Sequence, residues 1–314
     1  MEYRNLGNTG LKVSIVGIGC NNFGRRCDAV ATAAVVDAAL DVGVNFFDSA
    51  DIYGPNGLSE EYLGQAIKGK DRSSVIIASK FANPMGAGDL MRGASRRYIM
   101  NAVDASLKRL GTDYIDLYQQ HVPDDQTPIE ETLRALDDLV RSGKVRYIGH
   151  SNFSGWQLTD AHWTARHHGL NPFVTAQNHY SLIDRRIEKD VVPAAQHFGI
   201  GILPYFPLAS GLLTGKYQRG EAAPQGTRLA AWGERGAAAL SEQNFAIVDK
   251  LTAFAQAHDR TLLELAMSWL ATKPYISSVI AGATSAVQVE QNAAAAAWRL
   301  SDAEMAEVNA LSTR

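Results

Sequence analysis

Eight short runs of β-branched or aromatic residues recur along the chain, and longer segments with helical apolar spacing lie between them. The runs are residues 15–18, 45–47, 75–78, 114–118, 145–148, 173–176, 200–203 and 276–280. This alternation, without a break in composition, favours a closed (β/α)8 TIM barrel over an open doubly wound sheet. An open dinucleotide-binding sheet also carries a third glycine, which Gly17-Ile18-Gly19 lacks. The sequence therefore predicts an α/β fold with one catalytic barrel domain over residues 1–314.

Two segments depart from the alternation. Residues 2–6 and 11–13 flank a cluster of turn residues at 7–10, which predicts an N-terminal β-hairpin. Residues 205–241 follow the seventh run and are rich in Gly, Pro and Ala, so they predict a long active-site loop after strand seven. The clearest helical segments are residues 28–40, 128–141 and 261–273.

Charge and cysteine content exclude several classes of protein. The net charge is -3, and Lys and Arg are scattered among carboxylates, so no nucleic-acid partner is expected. The apolar runs are far shorter than the roughly 18 residues of a spanning helix, so no membrane role is expected. Cys20 and Cys27 lack a paired spacing and are interpreted as reduced thiols, without a metal site. With no secretory signal at the start, the protein is expected to be cytoplasmic.

Polar groups follow nearly every predicted strand. In chain order they are Asp48 and Tyr53, Lys80, His121, Ser151 and Asn152, Gln177, Tyr205, and residues 282–285. Because the carboxyl ends of barrel strands meet on one face, these groups are expected to converge on one rim. Each residue alone has a structural explanation, as a turn former, a solvated charge or a hydrogen-bonded ring. Their convergence indicates an enzyme.

Four of these residue types suit acid–base chemistry. A phenol has an ordinary pKa of about 10, and a nearby ammonium lowers it. We therefore expect Lys80 to lower the pKa of Tyr53, with Asp48 holding Lys80 charged. His121 could donate a hydrogen bond to a substrate oxygen. A rival hypothesis makes Lys80 the nucleophile of a Schiff-base aldolase, although a lysine paired with Asp48 stays protonated and reacts poorly.

The motifs around these residues resemble the signatures of the aldo-keto reductase family. They are residues 48–54 (DSADIYG), 78–80 (ASK), 116–121 (DLYQQH), 149–153 (GHSNF), 208–217 (LASGLLTGKY) and 282–292 (GATSAVQVEQN). The match extends over nearly the whole chain in the same order. The chain is most similar to the bacterial branch related to potassium-channel β subunits.

The resemblance implies an NADP(H)-dependent oxidoreductase that reduces small aldehydes or ketones to alcohols, with Tyr53 as general acid in a tetrad with Asp48, Lys80 and His121. The family's double-bond reductases carry Glu in place of His121. The implied cofactor residues are Ser151, Asn152, Gln177, Tyr205, Leu208, Gly211, Lys216, Gly282, Thr284, Ser285, Gln288, Gln291 and Asn292. An alternative is a cofactor-binding redox sensor or partner subunit with little turnover.

Two regions depart from the family pattern. Thr284 and Ser285 stand where many relatives have Lys or Arg, whose charge grips the 2′-phosphate of NADP. NADP remains the preferred cofactor, with NAD possible. Phe206 stands where relatives often have Ser. The substrate pocket is assigned to residues 21–23, 83–85 and the loop around Trp232, a residue that could line the pocket or pack on the surface.

Overall fold

The computed structural model describes residues 1–313, in which a hairpin precedes a parallel sheet of eight strands. The hairpin strands are β1 (Tyr3–Asn5) and β2 (Lys12–Ser14). The sheet strands are β3 (Val16–Gly19), β4 (Phe46–Asp48), β5 (Ile76–Phe81), β6 (Ile115–Gln120), β7 (Val145–Ser151), β8 (Thr175–Gln177), β9 (Gly201–Ile202) and β10 (Val279–Gly282). Each sheet strand overlaps or directly adjoins one of the eight predicted runs, and the predicted hairpin is present.

The sheet closes into a barrel. Its strand order is β10-β3-β4-β5-β6-β7-β8-β9, and every neighbouring pair is parallel. Parallel bridges from Ile202 to Ile276 and from Tyr205 to Ile280 join the remaining edges. The predicted (β/α)8 barrel is therefore confirmed, and the open doubly wound sheet is excluded.

Helices surround the sheet. They are α1 (Ala29–Asp41), α2 (Leu58–Ile67), α3 (Arg96–Leu110), α4 (Ile129–Arg141), α5 (Gly155–His168), α6 (Val191–Phe198), α7 (Arg228–Ala231), α8 (Glu234–Ala239), α9 (Glu242–Ala257), α10 (Leu262–Thr272), α11 (Ala286–Ala295) and α12 (Asp302–Leu311). Side chains fix several starts: Asp28 accepts from the Ala31 N–H at 2.8 Å, and Thr261 forms a reciprocal capping box with Glu264. None of the helices in residues 1–313 is long and apolar enough to cross a membrane.

The predicted long loop after strand seven, residues 205–241, lines a cleft on one face of the barrel and is not wholly irregular. It contains a 3-10 segment at Ala209–Thr214 and the short helices α7 and α8. Leu229, which belongs to α7, is buried in the core. The sequence did not predict these helical turns, because each is too short to show a helical period and the segment is rich in Gly and Pro.

The hairpin covers the amino-terminal end of the barrel. Leu6 and Val13 are fully buried against Phe46, Ile76 and Leu117, which lie inside the barrel. Burying apolar side chains of this size stabilises the fold by about 1.5–3 kcal/mol each. Only the carboxyl ends of the strands therefore remain open for a site. The single domain over residues 1–314 stays a prediction, and residue 314 lies outside the described residues.

Candidate active site

A buried ion pair lies at the open end of the barrel. Asp48 ends β4, and Lys80 lies in the neighbouring strand β5; their exposed fractions are 2% and 0%. Lys80 Nζ donates to Asp48 Oδ2 at 2.7 Å and to the Ser49 carbonyl at 2.8 Å, while Gln119 Nε2 donates to Asp48 Oδ1 at 3.2 Å. These bonds satisfy the charges and fix both side chains.

The ion pair determines the state of the lysine. Burial acts to lower the pKa of Lys80, but the charges of Asp48 and Tyr53 outweigh burial and raise the pKa. Lys80 is therefore an ammonium at neutral pH. A protonated amine is a poor nucleophile, so the aldolase hypothesis is disfavoured.

Tyr53 lies on the turn that follows β4, where its N–H donates to the Ala50 carbonyl at 3.1 Å. Its hydroxyl is 3.5 Å from Lys80 Nζ. Burial raises the pKa of Tyr53, and Lys80 only partly counteracts this effect. The expected net lowering of this pKa is wrong in direction, because the sequence did not reveal how deeply the phenol is desolvated. A raised pKa keeps the phenol protonated at neutral pH.

His121 follows β6, and its ring meets the Tyr53 ring edge to face with centroids 5.6 Å apart. The backbone N–H of His121 donates to the Phe81 carbonyl at 2.9 Å. Burial, followed by the charge of Lys80, lowers the pKa of His121 to about 3. The imidazole is therefore neutral over the physiological range, and its ring Nδ1 has no partner within the described residues.

A cleft of about 900 Å³ extends from these groups across the barrel face. Of the predicted site residues, those that line it are Asp48, Tyr53, His121, Ser151, Asn152, Gln177, Tyr205, Leu208, Gly211, Lys216, Gly282, Thr284, Gln288, Gln291 and Asn292. Lys80 is fully buried and reaches Tyr53 without lining the cleft. Ser285 does not line it either, and instead caps α11 by accepting from the Gln288 N–H.

Amide and hydroxyl groups form a network beside His121. Asn152 Nδ2 donates to the His121 carbonyl at 2.9 Å, and Tyr205 Oη donates to Asn152 Oδ1 at 2.8 Å. Ser151 Oγ donates to the Gln177 carbonyl at 2.9 Å. The side-chain Nε2 of Gln177 is buried without a partner among residues 1–313. An unpaired buried donor at the cleft wall is available to a ligand carbonyl.

Two arginines that sequence reasoning missed line the same cleft, Arg26 and Arg228. Arg228 donates to the amide oxygens of Asn21 and Asn22 at 3.2 and 3.3 Å. Burial lowers the pKa of Lys216, and the charges of Arg26 and Arg228 lower it further, so the three cations lie near one another. No carboxylate of residues 1–313 forms an ion pair with any of them. The available signal for Arg228 was a basic residue within the predicted active-site loop.

The backbone at Gly211 passes close to the Lys216 side chain. Gly211 has a φ of 95°, and a Cβ on it would lie 2.5 Å from Lys216 Cε. Only glycine fits this position without displacing the lysine. The cluster of Arg26, Lys216 and Arg228 therefore borders a surface where a group with several negative charges can approach.

The far end of the cleft has a different character. Thr284 donates through its N–H and hydroxyl to Gln288 Oε1, at 2.9 and 3.1 Å. Glu264, which completes the capping box of α10 with Thr261, also lines the cleft. Trp232, for which the sequence leaves both a pocket position and a surface position open, does not line the cleft; its ring and that of Phe206 meet edge to face with centroids 5.6 Å apart.

Residues 15–313 match the aldo/keto reductase family. Among curated relatives, a probable voltage-gated potassium channel subunit beta from Arabidopsis thaliana is 39% identical, over 93% of this chain and 90% of its own length. The L-glyceraldehyde 3-phosphate reductase of Escherichia coli O157:H7 is 34% identical, over 93% of this chain and 86% of its own. The versiconal hemiacetal acetate reductase of Aspergillus parasiticus is 34% identical, over 87% and 86%. The predicted resemblance is confirmed: the chain belongs to the aldo/keto reductase family of oxidoreductases.

Proposed function

We propose that the protein reduces aldehydes or ketones to alcohols with NADPH, and that Tyr53 is the general acid. The observation that carries this proposal is the position of the Tyr53 hydroxyl, 3.5 Å from a fully buried lysine ammonium and opposite the edge of His121. The Tyr53 hydroxyl is thus a proton donor next to the fixed Lys80 ammonium. It faces a cleft large enough for a cofactor and a small substrate.

Each side chain then has a defined task. Tyr53 Oη holds a proton at neutral pH and donates it to the carbonyl oxygen of the substrate. The Lys80 ammonium stabilises the phenolate that forms, and Asp48 keeps that ammonium charged and oriented. The neutral His121 ring donates an N–H to the same substrate oxygen, which selects the pose and stabilises developing negative charge.

The cleft fits a nicotinamide dinucleotide. The unpaired Gln177 Nε2, with Ser151 and Asn152 beside it, suits a carboxamide, and Tyr205 offers an aromatic face. The cations Arg26, Lys216 and Arg228, with the close backbone at Gly211, suit a pyrophosphate. The remaining predicted residues, Leu208, Gly282, Thr284, Gln288, Gln291 and Asn292, line the same cleft. When bound, the cofactor supplies the hydride, because no side chain can do so.

The preference for NADPH over NADH rests on the family resemblance. Ser285 is expected beside the adenosine half of the cofactor, but its hydroxyl caps α11, so this contact is the least supported of the set. Side-by-side fluorescence titration of the protein with NADPH and NADH measures the preference directly.

Oxidation of NADPH in the presence of a panel of aldehydes and ketones tests the reaction. Turnover that depends on the carbonyl compound supports the proposal. Tight cofactor binding without turnover across the panel would instead support a redox-sensing or partner-subunit role, to which the relative named as a probable potassium channel subunit beta points.

A further inference from the structure

A second group of ionisable side chains is buried directly behind the Tyr53 turn. Asp51 and Glu60 are 1% and 0% exposed, and within residues 1–313 Arg109 is the only cation that pairs with either carboxyl group. Arg109 Nε donates to Glu60 Oε2 at 2.7 Å, and the Ser79 hydroxyl donates to the other Glu60 oxygen. Glu60 is thus fully bonded as a carboxylate. A second buried negative charge would have no cation of its own, which is strongly unfavourable.

The surroundings of Asp51 give independent evidence that it is uncharged. Its Oδ1 is buried without a hydrogen-bond partner in the described chain. Its Oδ2 lies 3.5 Å from the hydroxyl of Tyr98. A phenol that donates to an ionised carboxylate approaches to about 2.5–2.7 Å. A neutral acid donor also approaches to less than about 3.0 Å, so the 3.5 Å contact is weak in either state, and the unpaired Oδ1 is the evidence against an ionised Asp51.

The single hydrogen of Tyr98 has a nearer acceptor. The carbonyl oxygen of Asn83 is 3.2 Å from the Tyr98 hydroxyl, closer than Asp51. When Tyr98 donates to Asn83, its lone pairs face Asp51, and the contact with Asp51 is favourable only if Asp51 carries a hydrogen. The hydrogen bonds therefore run from Asp51 as donor to Tyr98, and from Tyr98 as donor to the Asn83 carbonyl.

We propose that Asp51 is a positioning residue: as a neutral carboxylic acid it donates to Tyr98 and so ties the turn that carries Tyr53 to the segment after β5. The Asp51 N–H donates to the Lys80 carbonyl at 3.1 Å, so the same residue anchors this turn to the strand of the catalytic lysine. The segment of Asn83 is the one expected at the substrate pocket, although residues 83–85 do not line the cleft. The inference rests on the proposed role of Tyr53.

The pKa of Asp51 supports this state. Burial and the charge of Glu60 raise the pKa to about 8, against smaller lowering effects from Arg109, the Ile52 N–H and Lys80. Tyr98 and Tyr118 also face this carboxyl, and burial raises the pKa of both phenols, so they stay neutral. Above about pH 8, Asp51 loses the hydrogen that it donates and places a second negative charge beside Glu60.

The test is the pH profile of kcat/KM between pH 6 and 10. We expect the wild-type value to fall above about pH 8, by up to tenfold per pH unit. The D51N variant keeps a donor that does not ionise, so we expect it to stay within about twofold of wild type at pH 7 and to show no fall between pH 8 and 9. The D51A variant has no donor and should lose about tenfold in kcat at every pH, with unchanged cofactor affinity.

Lys273 offers a matched control, since burial lowers its pKa to about 8 as well, and it lies between α10 and β10. The K273M variant should keep the wild-type alkaline fall. An alkaline fall that persists in D51N, or disappears in K273M, would overturn the proposal. So would a D51N variant as impaired as D51A at pH 7.

A measurement without turnover separates this inference from the proposed reaction. The pKa of Asp51 is raised in the folded protein. Between the ordinary Asp range and about pH 8, the folded protein therefore keeps a proton that the unfolded chain has already released. Stability therefore falls with rising pH over that window. The melting temperature of D51N relative to wild type should rise from pH 5 to pH 8 and then level off. A constant difference would contradict a neutral Asp51, whether or not the protein reduces carbonyl compounds.

Discussion

The two ends of the cleft are built differently. At the inner end, Lys80 bonds to Asp48 of the adjacent strand and reaches Tyr53 on the turn after β4, and both side chains of the ion pair are buried. At the outer end, Thr284 and Gln288 belong to a loop and to the first turn of α11, and their mutual hydrogen bonds are exposed. The barrel itself holds the proposed acid–base groups, whereas the groups proposed to select the cofactor lie at the surface, where they can change without disturbing the fold.

The largest expected effect is at the inner end. The Y53F variant removes the proton donor and should lower kcat by about 10²–10⁴-fold, the usual contribution of general acid catalysis. Cofactor affinity should stay within about twofold, which fluorescence titration can measure. The control is Y114F, because Tyr114 is a half-buried phenol that stacks on Arg72 and Arg146 outside the cleft. A Y53F variant that retained most of its activity would exclude Tyr53 as the acid.

Breaking the buried ion pair should affect activity and stability together. The K80M variant leaves the buried Asp48 without its cation, which costs about 3–5 kcal/mol in unfolding free energy. Urea denaturation measures this loss. The matched variant is K144M, since Lys144 pairs with Asp104 at the surface and such pairs contribute less than about 1 kcal/mol. Equal losses in both variants would mean that burial does not distinguish the two ion pairs.

Replacing a cation in the middle of the cleft should weaken cofactor binding alone, with an effect between those expected at the inner and outer ends. The R228A variant should weaken NADPH binding by about 10- to 100-fold, the range of a charge-assisted hydrogen bond. The matched variant is R219A: Arg219 lies in the same segment but pairs with Glu242 and Asp249. Calorimetric titration gives both dissociation constants. Similar losses in the two variants would indicate a general charge effect and not a contact.

The smallest effect is expected at the outer end. The S285R variant adds a guanidinium near the expected 2′-phosphate and should shift the NADPH-to-NADH affinity ratio by about five- to tenfold. Because Ser285 also caps α11, S285A serves as the control for losing the cap, worth about 1 kcal/mol of stability. An unchanged ratio in S285R would mean that the phosphate is held elsewhere.

The sequence was sufficient for the barrel and for the convergence of Asp48, Tyr53, Lys80 and His121, because strand period and strand order alone bring their ends together. It was not sufficient for properties that depend on packing. The direction of the Tyr53 pKa shift depends on desolvation, which no spacing encodes.

Two further features escaped the sequence for the same reason. Arg228 reaches the cleft because α7 begins at that residue, and α7 is too short to leave a helical period. The neutral state of Asp51 depends on a count of charges in a buried space that draws on α2, α3 and β5.

The hairpin gives the closed end of the barrel a cover of its own. Leu6 and Val13 seal the apolar interior from below. The loops on the opposite face therefore take no part in closing this end. Their length and composition can change without opening it, and laboratory loop exchange can use this freedom wherever buried loop residues such as Leu229 are kept.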